Sequence, residues 1–324
     1  MNKSIFKRLK KYIYAVLGLV FSAFIIYLLS KKINFNVALE NLRGLSIMSV
    51  ILLITTYLST FFIRALRWKL MFEDKSVSYF TYLNCMVIGF AGNNFLPARG
   101  GELLRMEFFK RQSNINRITG LSSIFIEKIL DGLVLVSFLL IIANLDETLI
   151  ANEWIKRLIL FSTLLFSFFL FLILIFRKFG NRLIQLLESS KKLIQSLAFL
   201  LRKVQDSTSF LRWNKNTLLI FLLSILVWLI EGFVFVFALY IFDLNEFAVV
   251  AGYLSLVIVN FGILIPSSPG YFGLFQGMTI LSLMLFGVNK EIALSISILV
   301  HFCQYIPVTL WGVFYIVKSS ISRL

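Results

Sequence analysis

The chain has 324 residues, 59% of them hydrophobic and 15% charged, with 35 phenylalanines and a formal net charge of +16. Soluble domains carry about 25% charged residues, so this composition excludes an ordinary soluble protein and predicts an integral membrane one. The basic excess is then expected at one membrane face rather than on nucleic acid, and two cysteines, Cys85 and Cys303, support neither a disulfide framework nor a thiolate metal site.

Apolar runs fall at about 12–30, 46–66, 78–96, 118–143, 158–176, 217–242, 247–265, 271–287 and 292–317. Each is expected to be helical, because lipid offers no other partner to backbone polar groups. The fold class predicted is all-α: a polytopic bundle of about 7–9 membrane segments forming one transmembrane domain over residues 1–324. The first run follows a basic start, lacks a small-residue cleavage site and ends in Lys31-Lys32, so a retained helix is expected rather than a signal peptide.

Charge placement constrains the path. If every run crossed, the basic segments 98–117 and 177–216 would face outward and the acidic 144–157 loop inward. The conflict disappears if the third run dips in and returns. The segments 1–11, 64–75, 98–117, 177–216 and 318–324, together +19, then share the cytoplasmic side with both termini, and 31–45, 144–157, 243–246 and 289–291, together −1, lie outside. Residues 78–101 are therefore predicted to form a re-entrant hairpin with NNFLPARGG as its irregular limb, the alternative being an ordinary turn at the interface after a slightly short spanning helix. Non-helical backbone at membrane depth needs protein or a polar cavity around it, and Pro97, Gly100 and Gly101 supply the break. A second re-entrant hairpin is expected near 260–273, NFGILIPSSPGYFG, with breaks at Pro266, Ser268, Pro269, Gly270 and Gly273. Pro266 precedes Gly270 by four residues, as Pro97 precedes Gly101. Paired interruptions in the two halves of a transporter point to a substrate site. Pro307 is expected to kink the last helix. Residues 181–206 read as an amphipathic helix on the cytoplasmic leaflet, with a self-packed cytoplasmic hairpin as the alternative.

Few ionisable groups fall inside the apolar runs, and such groups face a partner or water. Arg64 and Arg67 share one helix face; they fit snorkelling cations or a lipid phosphate contact. Asn94, Arg99, Glu102 and Arg105 surround the first break. If GELLRMEFFKR starts a helix, Arg99, Glu102 and Arg105 stack on one face beside free backbone amides, a natural anion site. Glu127 and Asp131, four apart, could pair with neighbours or anchor Arg99 or Arg105. Glu231 sits mid-run with no base in its own helix, so it is protonated, paired with an arginine from elsewhere, or wet. His301 alone reads as a satisfied structural donor. No nucleotide-binding Gly-rich loop, metal cluster or nucleophile triad is seen, so no metal and no cofactor are expected.

GFAGNNFLPARGGELLR, the upstream RALRW, the downstream IEKILDG and the later IPSSPGYFGLF, in that order, resemble the flippase-like transmembrane family. That family includes the membrane half of lysylphosphatidylglycerol synthase, the multiple peptide resistance factor. The resemblance runs from the second apolar run to the end. It implies a helical bundle with re-entrant segments and, in two-domain relatives, movement of aminoacylated phosphatidylglycerol from the inner to the outer leaflet. The soluble synthase domain is not expected here, so the reading leans away from an enzyme. Relatives often place an acid soon after P-x-S-P-G, where this chain has Gln276.

The expectation is a cytoplasmic-membrane flippase or transporter of an anionic or aminoacylated phospholipid or a lipid-linked sugar. Arg99, Glu102, Arg105, Asn94, Arg64, Arg67, Glu127, Asp131 and Glu231 are its candidate substrate-binding residues. The alternatives are a membrane-embedded polyprenyl-phosphate-sugar transferase using Asp146, Glu147 and Glu153, or a non-transporting scaffold of a biosynthetic complex. Expected partners are the membrane and a phospholipid or lipid-linked substrate, with a second copy or a separate biosynthetic enzyme left open, and no nucleic acid.

Overall fold

A computed structural model describes residues 20, 22–28, 31, 33–72, 76–96, 99–188, 201–202, 204–205, 208, 215–265 and 267–321. Pro97, Pro266, most of the first apolar run and the 189–200 part of the expected amphipathic stretch lie outside them. Among the described residues the regular structure is helical. In order it comprises α1 (Phe35–Glu40), α2 (Ile47–Leu70), α3 (Tyr79–Phe95), α4 (Gly101–Gln112), α5 (Arg117–Leu145), α6 (Glu147–Ala151) and α7 (Glu153–Glu188). Then follow α8 (Lys215–Ile241), α9 (Ala248–Gly262), a 3-10 turn (Pro269–Tyr271), α10 (Leu274–Met284) and α11 (Lys290–Ile321).

A bilayer core of about 30 Å needs roughly 20 helical residues. Among the described residues four helices, α2, α7, α8 and α11, are long and apolar enough to cross. Helix α5 has 29 residues but carries Glu127, Lys128 and Asp131 in its N-terminal half. Helices α3, α4, α9 and α10, with 17, 12, 15 and 11 residues, are too short to cross alone. They form two helical hairpins, so the nine apolar runs are not nine crossings.

In the first hairpin, α3 and α4 lie antiparallel at the closest approach a backbone allows. A Cβ on Gly101 would fall 2.0 Å from the Gly89 carbonyl oxygen, so no other residue fits there. Lipid tails are as apolar as leucine, so such close packing is a main source of helix association in a membrane. At the open end Tyr82 of α3 and Phe109 of α4 stack 5.0 Å apart, and both rings meet Trp68 at the end of α2. The chain therefore returns to the end of the bundle it left. The irregular stretch is shorter than the sequence suggested. Asn93, Asn94 and Phe95 are still helical, Gly101 already begins α4, and the break is confined to 96–100, where Leu96 is extended and Arg99 is left-handed (φ 55°). The returning limb is the helix α4, whose first amide, Gly101 N–H, donates to Asn93 Oδ1 at 2.9 Å.

The second hairpin has the same plan. The hydroxyls of Ser255 and Ser282 bond at 2.7 Å across α9 and α10, and Phe247 stacks on Phe286 at the open end. Its tip spans 263–273, where Gly270 at φ 69° makes a turn that a side chain resists.

Helices α2 and α8 run antiparallel, since Arg67 meets Ser224 and Arg64 meets Glu231. One hairpin opens at the C-terminal end of α2 and the other at the C-terminal end of α8, so they enter from opposite ends. Their tips meet midway, where Arg99 Nη2 donates to the Ile263 carbonyl at 3.3 Å. The order long, short, short, long occurs twice, in α2–α5 and in α8–α11: an inverted structural repeat.

The charge parity holds in this arrangement. Lys69, Lys110, Arg111, Arg117, Arg177, Lys215 and Lys318 gather at one end; at the other, Glu40, Asp146, Glu147, Glu153, Asp243, Glu246 and Glu291 outnumber Lys31, Arg43, Lys156, Arg157 and Lys290. At the basic end Glu107 of α4 accepts from Arg117 of α5 at 2.9 Å and from Arg111. The Arg117 contact above all holds its carboxyl below the usual range. Helix α7 continues unbroken to Glu188, so residues 181–188 extend a long helix rather than start a separate one. Pro307 lies within a continuous α11.

In a background without Cys85 and Cys303, single cysteines at Ser78 and Lys110 should be labelled by an impermeant thiol reagent from the same side of the membrane. Cysteines at Glu246 and Asn289 should react only from the opposite side. Labelling of Ser78 and Lys110 from opposite sides would show that the first hairpin crosses.

Candidate functional site between the hairpin tips

A helix that is apolar all round except for one polar stripe must turn that stripe inward in lipid. Three helices do so here. Arg64 and Arg67 are three apart on α2, Glu127 and Asp131 four apart on α5, and Ser224, Trp228 and Glu231 follow four and three apart on α8. Arg105 reaches in from α4. The stripes converge on one network. Arg64 pairs with Glu231 and lies 3.9 Å from Asp131. Arg67 holds Asp131 through both terminal nitrogens, at 2.5 and 3.3 Å, and reaches Glu127 at 3.4 Å. Arg105 forms two bonds to Glu127, at 2.9 and 3.3 Å. Trp228 donates to Asp131 at 3.0 Å, and the Arg105 guanidinium lies 3.8 Å over the Trp68 ring. Arg67, Arg105 and Glu127 are completely buried. Toward the surface Lys128 bridges Glu102 at 3.3 Å and Glu127 at 3.9 Å.

Beside this network a cavity of about 320 Å³ opens between the two tips, within the roughly 300–1,000 Å³ of small-ligand sites. Asn94 and Arg99 line it from the first tip, Ile263 and Tyr271 from the second, and Arg64, Asp131 and Glu231 from the network. Aromatic rings, among them Phe90, Trp228 and Phe275, and the apolar face of α7 complete it. Of the nine candidate residues, Asn94, Arg99, Glu102, Arg64, Asp131 and Glu231 line the cavity, whereas Arg67, Arg105 and Glu127 sit behind it.

The four arginines differ. Arg64, Arg67 and Arg105 each hold a carboxylate, and Glu231 finds its base on α2. Arg99 pairs with no carboxylate among the described residues. It precedes α4 instead of stacking with Glu102 and Arg105, and it reaches the second tip.

Helix α11 clasps both tips from one face. Thr309 accepts from Asn94 Nδ2 at 2.6 Å, and Tyr305 packs there too. Four residues earlier than Tyr305, His301 Nε2–H donates to the Gly270 carbonyl at 2.9 Å, while Nδ1 accepts from the Gln276 amide at 3.0 Å. Gln276 Oε1 in turn accepts from Gly273 N–H at 2.8 Å. His301 is thus the satisfied structural group expected, and its bonds leave it uncharged. Ser268 N–H donates to Ser22, bringing the first apolar run to the second tip. In the 144–157 loop, Asp146 caps α6 through Thr148 and Glu153 pairs with Lys156 at 2.7 Å, so two of the three acids named for a transferase have structural partners.

Sequence reading did not single out Tyr57, Ser224, Trp228, Tyr271 or Gln304. The four-and-three spacing of Ser224, Trp228 and Glu231 was a findable signal. Removing one partner of a buried pair leaves an uncompensated charge and costs about 3–5 kcal/mol, whereas apolar replacement of both is near neutral. Glu127→Leu should therefore lower thermal stability sharply, and adding Arg105→Met should recover much of it. Scanning fluorimetry in detergent checks this; equal losses in the single and double variants would refute the pairing.

The family described as Lysylphosphatidylglycerol synthase TM region matches residues 15–312. UPF0104 membrane protein MJ1078 of Methanocaldococcus jannaschii is 29% identical over 240 residues, covering 71% of this chain and 96% of that protein. No solved structure matches the chain. With its matched region running through both hairpins and the cavity between them, the chain is a multi-pass membrane protein that belongs to the lysylphosphatidylglycerol synthase transmembrane-region family.

Proposed function

We propose that this protein is a lipid flippase or transporter whose substrate head group passes through the cavity between the hairpin tips. The observation that carries the reading is Arg99. It is the lining arginine without a carboxylate, and it sits where two elements from opposite ends of the bundle touch. Interrupted helices meeting near the bilayer midplane are how many secondary transporters build a site reachable from either side. Arg99 binds an anionic head group, its planar fork suiting phosphate oxygens. Arg64, Arg67 and Arg105 act as the frame, held by Glu231, Asp131 and Glu127. Glu102 and Lys128 flank the entrance, and Asn94 holds the first tip against α11.

The basic end of the bundle faces the cytoplasm, with both termini on that side, because Lys and Arg are retained there during insertion. The head group then has a cationic surface at the inner leaflet and, deeper in, Arg99, which pairs with no carboxylate among the described residues.

Purified protein in proteoliposomes should move a labelled anionic phospholipid between leaflets. Losing a charge-assisted contact costs roughly 1.5–3 kcal/mol, so Arg99→Ala should slow translocation about ten- to a hundredfold. Its melting temperature should fall only slightly, since the variant loses the hydrogen bond to the Ile263 carbonyl but no described ion pair, and Arg99→Lys should retain part of the rate. A wild-type rate in Arg99→Ala would remove this arginine from the mechanism.

A further inference from the structure

Resting on the lipid-moving reading above, we infer that the site takes a head group of one net negative charge that only accepts hydrogen bonds: a monoanionic phosphodiester. An aminoacylated lipid bearing net positive charge is disfavoured. Two independent features point there.

The first is charge balance. The cavity and the groups in direct ion contact with it contain Arg64, Arg67, Arg99, Arg105 and Lys128 on one side, and Glu102, Glu127, Asp131 and Glu231 on the other. Among the described residues five cations face four anions, and His301 is uncharged by its bonding. The excess is Arg99. An ion in apolar surroundings is costly unless compensated, so one added negative charge completes the set. A lipid of net charge +1 raises the excess, and a dianionic head leaves an anion over.

The second is hydrogen-bonding sense. Three buried polar side-chain atoms of the lining make no hydrogen bond within the protein: Arg64 Nε, Arg99 Nε and Gln304 Nε2. All three are N–H donors. The lining carboxylates each hold a cation or an indole N–H: Glu231 holds Arg64, Asp131 holds Arg67 and Trp228, and Glu102 holds Lys128. A buried donor without a partner costs about 1–3 kcal/mol, so a ligand that brings acceptors is favoured and an ammonium brings the wrong sense. Phosphodiester oxygens supply only acceptors with a single charge. That chemistry occurs both in glycerophospholipids such as phosphatidylglycerol and in polyprenyl-phosphoryl sugars. The aromatic and aliphatic remainder of the cavity serves either.

The test uses full-length protein in vesicles carrying, in separate arms, labelled phosphatidylglycerol, a polyprenyl-phosphoryl sugar, phosphatidylethanolamine, lysylphosphatidylglycerol and a polyprenyl-pyrophosphoryl sugar. Binding of each lipid in mild detergent is read in parallel by native mass spectrometry. At least one of the first two should bind and move roughly tenfold or more better than the last three, the gap expected for one matched charge-assisted contact; which of the two does so names the source. Gln304→Glu balances the charges and turns a donor into an acceptor, so the preference for the monoanion over phosphatidylethanolamine should vanish while phosphatidylethanolamine still binds. Equal handling of phosphatidylglycerol, the polyprenyl-phosphoryl sugar and lysylphosphatidylglycerol would overturn the inference and leave the transport reading standing. Selective binding of a phosphodiester without movement of any lipid would overturn the transport reading and leave the inference standing. Neither binding nor movement would overturn both.

Discussion

The fold depends on a buried exchange of charge among α2, α4, α5 and α8: Arg64 with Glu231, Arg67 with Asp131, Arg105 with Glu127. In water, apolar faces select their neighbours by escaping solvent; in lipid that preference is nearly gone, and leucine against leucine specifies little. Ion pairs specify a great deal, because a shift of one helical turn would strand a guanidinium among hydrocarbon. The network therefore sets the register of four helices that meet nowhere else so specifically. It also holds three of the four arginines that composition alone would have offered to a ligand.

The clasp on α11 is the second constraint. His301, Tyr305 and Thr309 recur every four residues on one face, and they tie down the two tips in turn. Gln276 joins the second tip to α11. Its amide accepts from Gly273 N–H and donates to His301 Nδ1, and an ionised carboxylate, which has no proton to give, cannot do both. At this position the chain has a joint of the second tip rather than an acid.

Much of the architecture was legible before the structure. The apolar runs fixed the helices, and the requirement that basic segments share one face revealed a hairpin near residues 78–101. Two things were not legible. The extent of the returning limb depended on whether Gly101 starts a helix, which is settled by Asn93 capping it from across the hairpin. The free arginine was hidden because salt-bridge partners lie far apart in sequence: Arg64 and Glu231 are 167 positions apart, Arg67 and Asp131 64. Arg64, Arg67, Arg99 and Arg105 look alike in a string of letters and differ only in who stands opposite. Trp228 and Gln304 went unnoticed for a related reason, since an aromatic or an amide in an apolar run carries no charge signal.

Helix α7 is the least enclosed of the long helices: 11% of its most apolar stretch is buried, against 61% for α11. Yet Leu165, Phe166 and Phe169 form one side of the cavity, with the Phe166 ring stacked 5.8 Å from Phe261. This partition is one helix thick, with hydrocarbon on the outside and no polar tether among these three residues on the inside. On the proposed lipid-moving function, a cargo with a wet head and oily tails would meet only this one-helix partition between cavity and bilayer. Its head would occupy the interior while its tails stay outside, so the protein need never enclose the whole molecule.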